Sequence, residues 1–83
     1  MDSNAAEMIK AVNLALKDEW AAAHEIVQDL SDPTACWIHA VLHKIEGDAS
    51  NSRYWYARSR HAYDEFTDTQ EELKYIASCI ADE

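Results

Sequence analysis

Glycine and proline occur once each in this chain of 83 residues, and cysteine only twice. One glycine and one proline cannot supply the many tight turns of an all-β fold, nor a flexible linker. The cysteines, Cys36 and Cys79, form neither a CxxC pair nor a disulfide framework. They read as small, mostly buried hydrophobes of a reducing compartment. No apolar run approaches the roughly 20 residues that span a bilayer. The opening MDSNAAEMIK lacks the basic-then-apolar order of a secretory leader. A cytoplasmic protein without a membrane partner is the expectation. Positive charge is scarce as well: seven Lys and Arg stand against sixteen Asp and Glu, for a net charge of −9. Such a chain repels nucleic acid and anionic surfaces. It suits a protein partner of basic or mixed charge, or a second copy of itself.

What the chain does have is bulk for a core. A domain this short buries only about 60% of its unfolded surface, so it needs large side chains. Three Trp, four Tyr and one Phe supply them. The apolar periodicity is helical throughout. Met8, Ile9, Val12 and Leu16 line one stripe behind an Asn4/Glu7 start. Asp18 opens a second helix with Trp20, Ala23, Ile26, Val27 and Leu30 inward. Asp32 and Pro33 stand at the N-cap and first position of a third, which runs to Glu46 and stops at Gly47. Asp48 caps a fourth helix to about Ala62, and Asp68 with Glu71 opens a fifth that turns Leu73, Ile76, Ala77 and Ile80 inward. The fold class expected is all-α: one domain over 1–83, with hairpins over 4–30 and 33–62 and a C-terminal capping helix over 68–81.

Two of the turns look alike. Setting Asp18 on Gly47 places Ala23 on Ser52, Ile26 on Trp55 and Val27 on Tyr56, as stacked helical hairpins require. The stretch ACWIHAVLHKIEGDASNSRYWYARS resembles a degenerate tetratricopeptide hairpin. Gly47-Asp48 stands at that repeat's inter-helix turn, Ala40 and Ser52 at its small positions, and Tyr56 at its large aromatic one. It departs from the repeat at His39, His43 and Asp64. The chain also resembles a group of small bacterial proteins of unknown function. The shared runs are W-x-x-A-H-x-x-x-Q at Trp20, Ala23, His24 and Gln28, and A-C-W-I-H-A-V-L-H-x-x-E-G-D-x-x-N-x-x-Y-W-Y from Ala35 to Tyr56. That resemblance carries no activity with it.

The third helix holds the first candidate site. At about 100° per residue, Trp37, Ile38, Val41, Leu42 and Ile45 form an apolar arc. Cys36, His39, His43 and Glu46 fall opposite, at i, i+3, i+7 and i+10. Thiol, imidazole and carboxylate are zinc's ligand types, and histidines at i and i+4 can share one ion. His24 from the neighbouring helix offers a further ligand. If a metal binds, the set is Cys36, His39, His43 and His24 and the ion is zinc; otherwise no cofactor is expected. Ala40 stands where a metalloprotease helix carries its glutamate base. The competing account is structural: a central helix is covered on most sides, and its histidines bond to neighbours such as Glu25 or Glu46. Acid–base or Cys36 thiolate chemistry needs the same residues. The sequence supplies no Gly-rich loop, nucleophile elbow or oxyanion hole to complete a catalytic constellation.

Residues 49–63 hold Arg53, Arg58 and Arg60 and no acid, whereas 64–83 hold seven acids and one Lys. Arg53, Tyr56, Ala57 and Arg60 share a face if the helix continues. They read either as a clamp for an acidic partner or as internal pairs with Glu46, Asp48, Asp64 or the fifth helix. Trp37, Tyr54, Trp55, Tyr56 and Tyr63 exceed what one small core hides, so one of them should border a groove or an association surface. Together these features point to a non-enzymatic interaction module, with Trp37, His39, His43, Arg53, Tyr56 and Arg60 as its partner-binding residues. The alternative is a metal-binding protein, or a metal- or His-dependent enzyme, on the Cys36/His39/His43 face.

Overall fold

The computed structural model of the chain describes residues 4–82. Residues 1–3, on which the leader reading partly falls, and residue 83 lie outside the described residues. The described residues form five helices and no strand, so the fold is all-α. The helices are α1 (Ala5–Leu16), α2 (Trp20–Val27), α3 (Pro33–Glu46), α4 (Ala49–Tyr56) and α5 (Thr69–Ala81). None of them is long and apolar enough to cross a membrane.

The helix α3 is the axis of the molecule. It packs against α1, α2, α4 and α5, and every residue from Ala35 to His43 is buried. A helix covered all round needs no polar face, so the arc bearing Cys36, His39 and His43 lies inside along with the apolar one. The pair α1–α2 and the pair α3–α4 each pack as a hairpin, and α5 closes the array across α1 and α3. The close approach of α3 and α4 is visible at the two small positions. Ser52 is fully buried and donates its hydroxyl to the Ala40 carbonyl at 2.7 Å. A larger side chain at either position would hold the helices apart.

The helix ends follow the sequence in part. Gly47 adopts φ 88°, the left-handed conformation that ends α3, and its amide and that of Asp48 turn back to the last carbonyls of the helix. Asp48 accepts the Asn51 amide at the start of α4, and Asp68 accepts those of Gln70 and Glu71 at the start of α5. Three expected capping bonds are absent. Asp32 stands at the N-cap position of α3, but its side chain accepts no amide of the first turn. Asn4 makes no capping bond; its side-chain amide instead donates to Asp32 at 2.8 Å, joining the starts of α1 and α3. Asp18 takes φ 65° in the turn, and Glu19 precedes α2 in its place.

The fourth helix stops at Tyr56 rather than near Ala62. Ser59 is the physical reason. Its hydroxyl donates to the Tyr56 carbonyl at 2.8 Å and accepts the His61 amide at 3.1 Å, replacing the helical ladder. Arg60 then takes φ 71° and reverses the chain. The segment after it folds back over α3, where the Lys44 ammonium holds the carbonyls of Tyr63 and Phe66 at 2.9 and 2.8 Å.

The largest departure from the expected core lies on α3 and α5. Ile45, placed on the apolar arc, is 40% exposed, while the neighbouring Lys44 turns inward. Its partner is Glu72, a carboxylate with no exposed surface at all. Glu72 receives Lys44 Nζ at 3.0 Å, the Trp37 indole N–H at 2.9 Å and the Tyr56 hydroxyl at 2.7 Å. A buried charge persists only when its lone pairs are satisfied in this way. Burial, together with the Glu72 carboxylate, pushes the Tyr56 phenol far above its ordinary range, so it stays a donor.

Candidate metal centre

Three of the four histidines meet between α2 and α3. His24 comes from α2; His39 and His43 come from successive turns of α3. One nitrogen from each lies within 4.8 Å of those of the other two. Their ring centroids are 4.7 Å apart for His24–His39, 5.0 Å for His39–His43 and 5.4 Å for His24–His43. His39 and His43 are 4% and 7% exposed, and His24 is half-buried. The i,i+4 spacing on α3 places two imidazoles on one side, and the packing of α2 on α3 brings the third.

Each ring is fixed by a different neighbour. Trp20 lies flat on His24 with centroids 4.8 Å apart, and its indole N–H is anchored to the Leu42 carbonyl at 2.6 Å. Trp55 lies flat on His39 at 4.0 Å. His43 is held by Glu46, whose Oε1 is 2.6 Å from Nδ1. A carboxylate accepts only an N–H, so Nδ1 of His43 carries a proton, which leaves Nε2 as the nitrogen that can ligate. This carboxylate–imidazole pairing is the outer-shell arrangement typical of a metal-binding histidine.

The electrostatics favour the neutral form at His39 and His24. Burial, and then the neighbouring His24 and His43, lower the His39 pKa to about 4. Burial, and then His43, lower that of His24, with Glu46 acting weakly the other way. Neutral imidazole is the form that ligates metal. Among the described residues neither His24 nor His39 has a hydrogen-bond partner for a ring nitrogen.

The fourth member of the expected metal set does not join. The Cys36 thiol points to the Ser31 carbonyl, 4.0 Å away, one turn short of the histidines. Burial raises its pKa against the opposing charge of Arg58, so the thiolate nucleophile considered from sequence is not favoured there. Cys36 lines a separate cleft of 430 Å³ with Leu30, Ser31, Trp55 and Arg58. Of the aromatics expected at a groove, Trp55 borders this cleft and Tyr63 a second one of about 420 Å³, and Tyr54 is 50% exposed.

The residues expected on a partner surface are divided. Trp37, His39, His43 and Tyr56 are buried, committed to the Glu72 network or the histidine cluster. Arg53 and Arg60 are exposed. They do not share a helix face, because α4 ends before Arg60. Among the described residues no arginine forms an ion pair, so the expected pairs with Glu46, Asp48, Asp64 or α5 are not made. The guanidiniums stack on rings instead: Arg53 over Tyr63 at 4.3 Å, and Arg58 over Tyr54 at 4.0 Å.

Sequence reasoning missed the supporting tryptophans as part of this site. Their signal was present in the spacing: Trp20 and His24 are i and i+4 on one helix, where side chains meet. Trp55 was not readable in this way, because its contact with His39 depends on how α4 crosses α3. Comparison of the chain with protein-family models, with curated proteins and with solved structures gives no match in any of the three.

Proposed function

We propose that the protein binds a single transition-metal ion of the zinc class through His24, His39 and His43. The observation that supports this most is the convergence of three imidazoles from two helices, with ligand atoms within 4.8 Å of one another. In a tetrahedral zinc site, with Zn–N about 2.0–2.1 Å, ligand nitrogens lie about 3.3 Å apart. Small turns about the terminal ring torsions, which are soft, close that gap. Simple packing accounts less well for the cluster. Apolar side chains would fill the same space without placing there imidazole nitrogens that have no protein partner and still reach solvent. The bound ion ties α2 to α3 and so joins the two hairpins. The reading is that of a metal-binding protein and assigns no reaction.

The test is metal uptake by protein made without a histidine tag. Equilibrium dialysis against zinc is expected to load one ion per chain, and His39→Ala, checked for helicity, is expected to lose it. Substoichiometric zinc that the substitution leaves unchanged contradicts the reading.

A second reading, a module for a protein partner, draws support from Arg53 and Arg60. Both are exposed and without a carboxylate partner on a chain of net charge −9. An acidic peptide should bind wild type more tightly than an Arg53→Glu/Arg60→Glu variant. Equal affinity removes this surface from consideration.

A further inference from the structure

The number of donors at the histidine cluster decides what kind of metal site it is. A structural zinc site takes four protein ligands, whereas a site that works on an external ligand takes three and leaves a position open. Among the described residues no fourth His, Cys, Asp or Glu donor lies within 4.8 Å of all three imidazoles. Three other candidate donors are committed or turned away. Cys36 faces the Ser31 carbonyl. Glu46 is engaged with Nδ1 of His43, the nitrogen on the far side of the ring from the lone pair. Asp48 is exposed and groups only with His43 and Glu46.

Resting on the metal reading above, we infer that the ion held by His24, His39 and His43 keeps one coordination position open, and that a small monodentate anion fills it. Charge sets the sign of the ligand. Three neutral imidazoles leave a divalent ion with its full charge, and Glu46 spends its own on His43. Burial sets the size. His39 and His43 are almost fully enclosed, with Trp20 and Trp55 flat against His24 and His39, so little of the cluster besides the half-buried His24 is open to a ligand. That limits it to a few atoms. The step is a plain ligand exchange in which water leaves and the anion enters, with no change of oxidation state.

Cobalt(II) substitution reads this directly, because its visible absorption reports the number and kind of ligands. The full chain is titrated with cobalt, then with azide as the probe anion. The inference requires one cobalt per chain and a saturable change in the visible bands, complete at one azide per cobalt. Glu46→Gln separates Glu46 as outer partner from Glu46 as ligand. As outer partner, its loss weakens cobalt binding about tenfold while leaving band position and azide response in place. Failure to take up cobalt overturns the metal reading and the inference with it. Uptake with bands that azide does not move overturns the inference alone. So do bands that shift in Glu46→Gln before any azide is added.

Discussion

The Lys44 ammonium and the Glu72 carboxylate meet 3.0 Å apart inside the protein, one 10% exposed and the other not at all. This pair links α3 to α5, and through the Tyr63 and Phe66 carbonyls it also fixes the loop between α4 and α5. The site and the scaffold are therefore separate polar systems on opposite sides of α3. One is a histidine cluster facing α2; the other is a carboxylate hub facing α5.

Removing Glu72 should be severe. Glu72→Ala leaves the Lys44 ammonium, the Trp37 N–H and the Tyr56 hydroxyl without their acceptor, and stranding a buried charge costs about 3–5 kcal/mol. Urea unfolding is expected to show a loss of that order. Replacing both partners, Lys44→Met with Glu72→Leu, should recover much of it, because no charge is then stranded. A double variant no more stable than Glu72→Ala would show that the hub matters for something other than charge.

Ser52 tests the hairpin contact. Its hydroxyl bond to the Ala40 carbonyl is one buried hydrogen bond, so Ser52→Ala should cost about 1 kcal/mol. Ser52→Leu adds volume where the helices touch and should cost about 1–3 kcal/mol more. Thermal or urea unfolding of the pair checks the order. Equal stability of the two variants contradicts close contact between α3 and α4 at this point.

Stability in the presence of a chelator should fall with pH through His39. Its pKa is lowered from 6.5 to about 4 in the folded protein. Between those values the unfolded chain takes up a proton that the folded chain refuses. The contribution is whole above pH 6.5, declines as the pH falls, and is spent at about 4, a loss on the order of 3 kcal/mol. His24 shifts the same way, with the Glu46 charge acting against its shift. Unfolding midpoints at pH 7, 5.5 and 4.5 for wild type and His39→Phe separate this from the carboxylates. The variant is expected to show the shallower decline; parallel curves contradict a buried neutral His39.

The sequence was legible where local chemistry decides. The stripe of Met8, Ile9, Val12 and Leu16, buried at Met8 and Val12 and partly buried at the other two, the left-handed Gly47, and the Asp48 and Asp68 caps all depend on neighbours within a turn. The i,i+4 pair His39/His43 was readable for the same reason, and His24 was within reach of it. Four features were not readable: at Glu72 and Ile45 a distant contact overrides a local rule, and at Arg60 and Cys36 a short-range hydrogen bond does. Glu72 sits on a helix that looks acidic and solvated, and it is drawn inward by Lys44, Trp37 and Tyr56 from three other turns of chain. Ile45 is displaced outward by the same hub, since Lys44 takes the inner direction. Arg60 falls off the expected face because Ser59 ends α4 early. Cys36 shares an arc with the histidines on a wheel, yet its thiol turns to the α2–α3 connection.

The most direct measurement of the central claim is a long-range nitrogen–proton correlation spectrum of the histidine side chains during zinc titration. His61 serves as the internal control, because it stacks on Trp37 and bonds Glu65 away from the cluster. The account requires the ring nitrogens of His24, His39 and His43 to shift together and saturate at one zinc per chain, while those of His61 stay in place. No shift at the three rings, or equal shifts at all four, contradicts it.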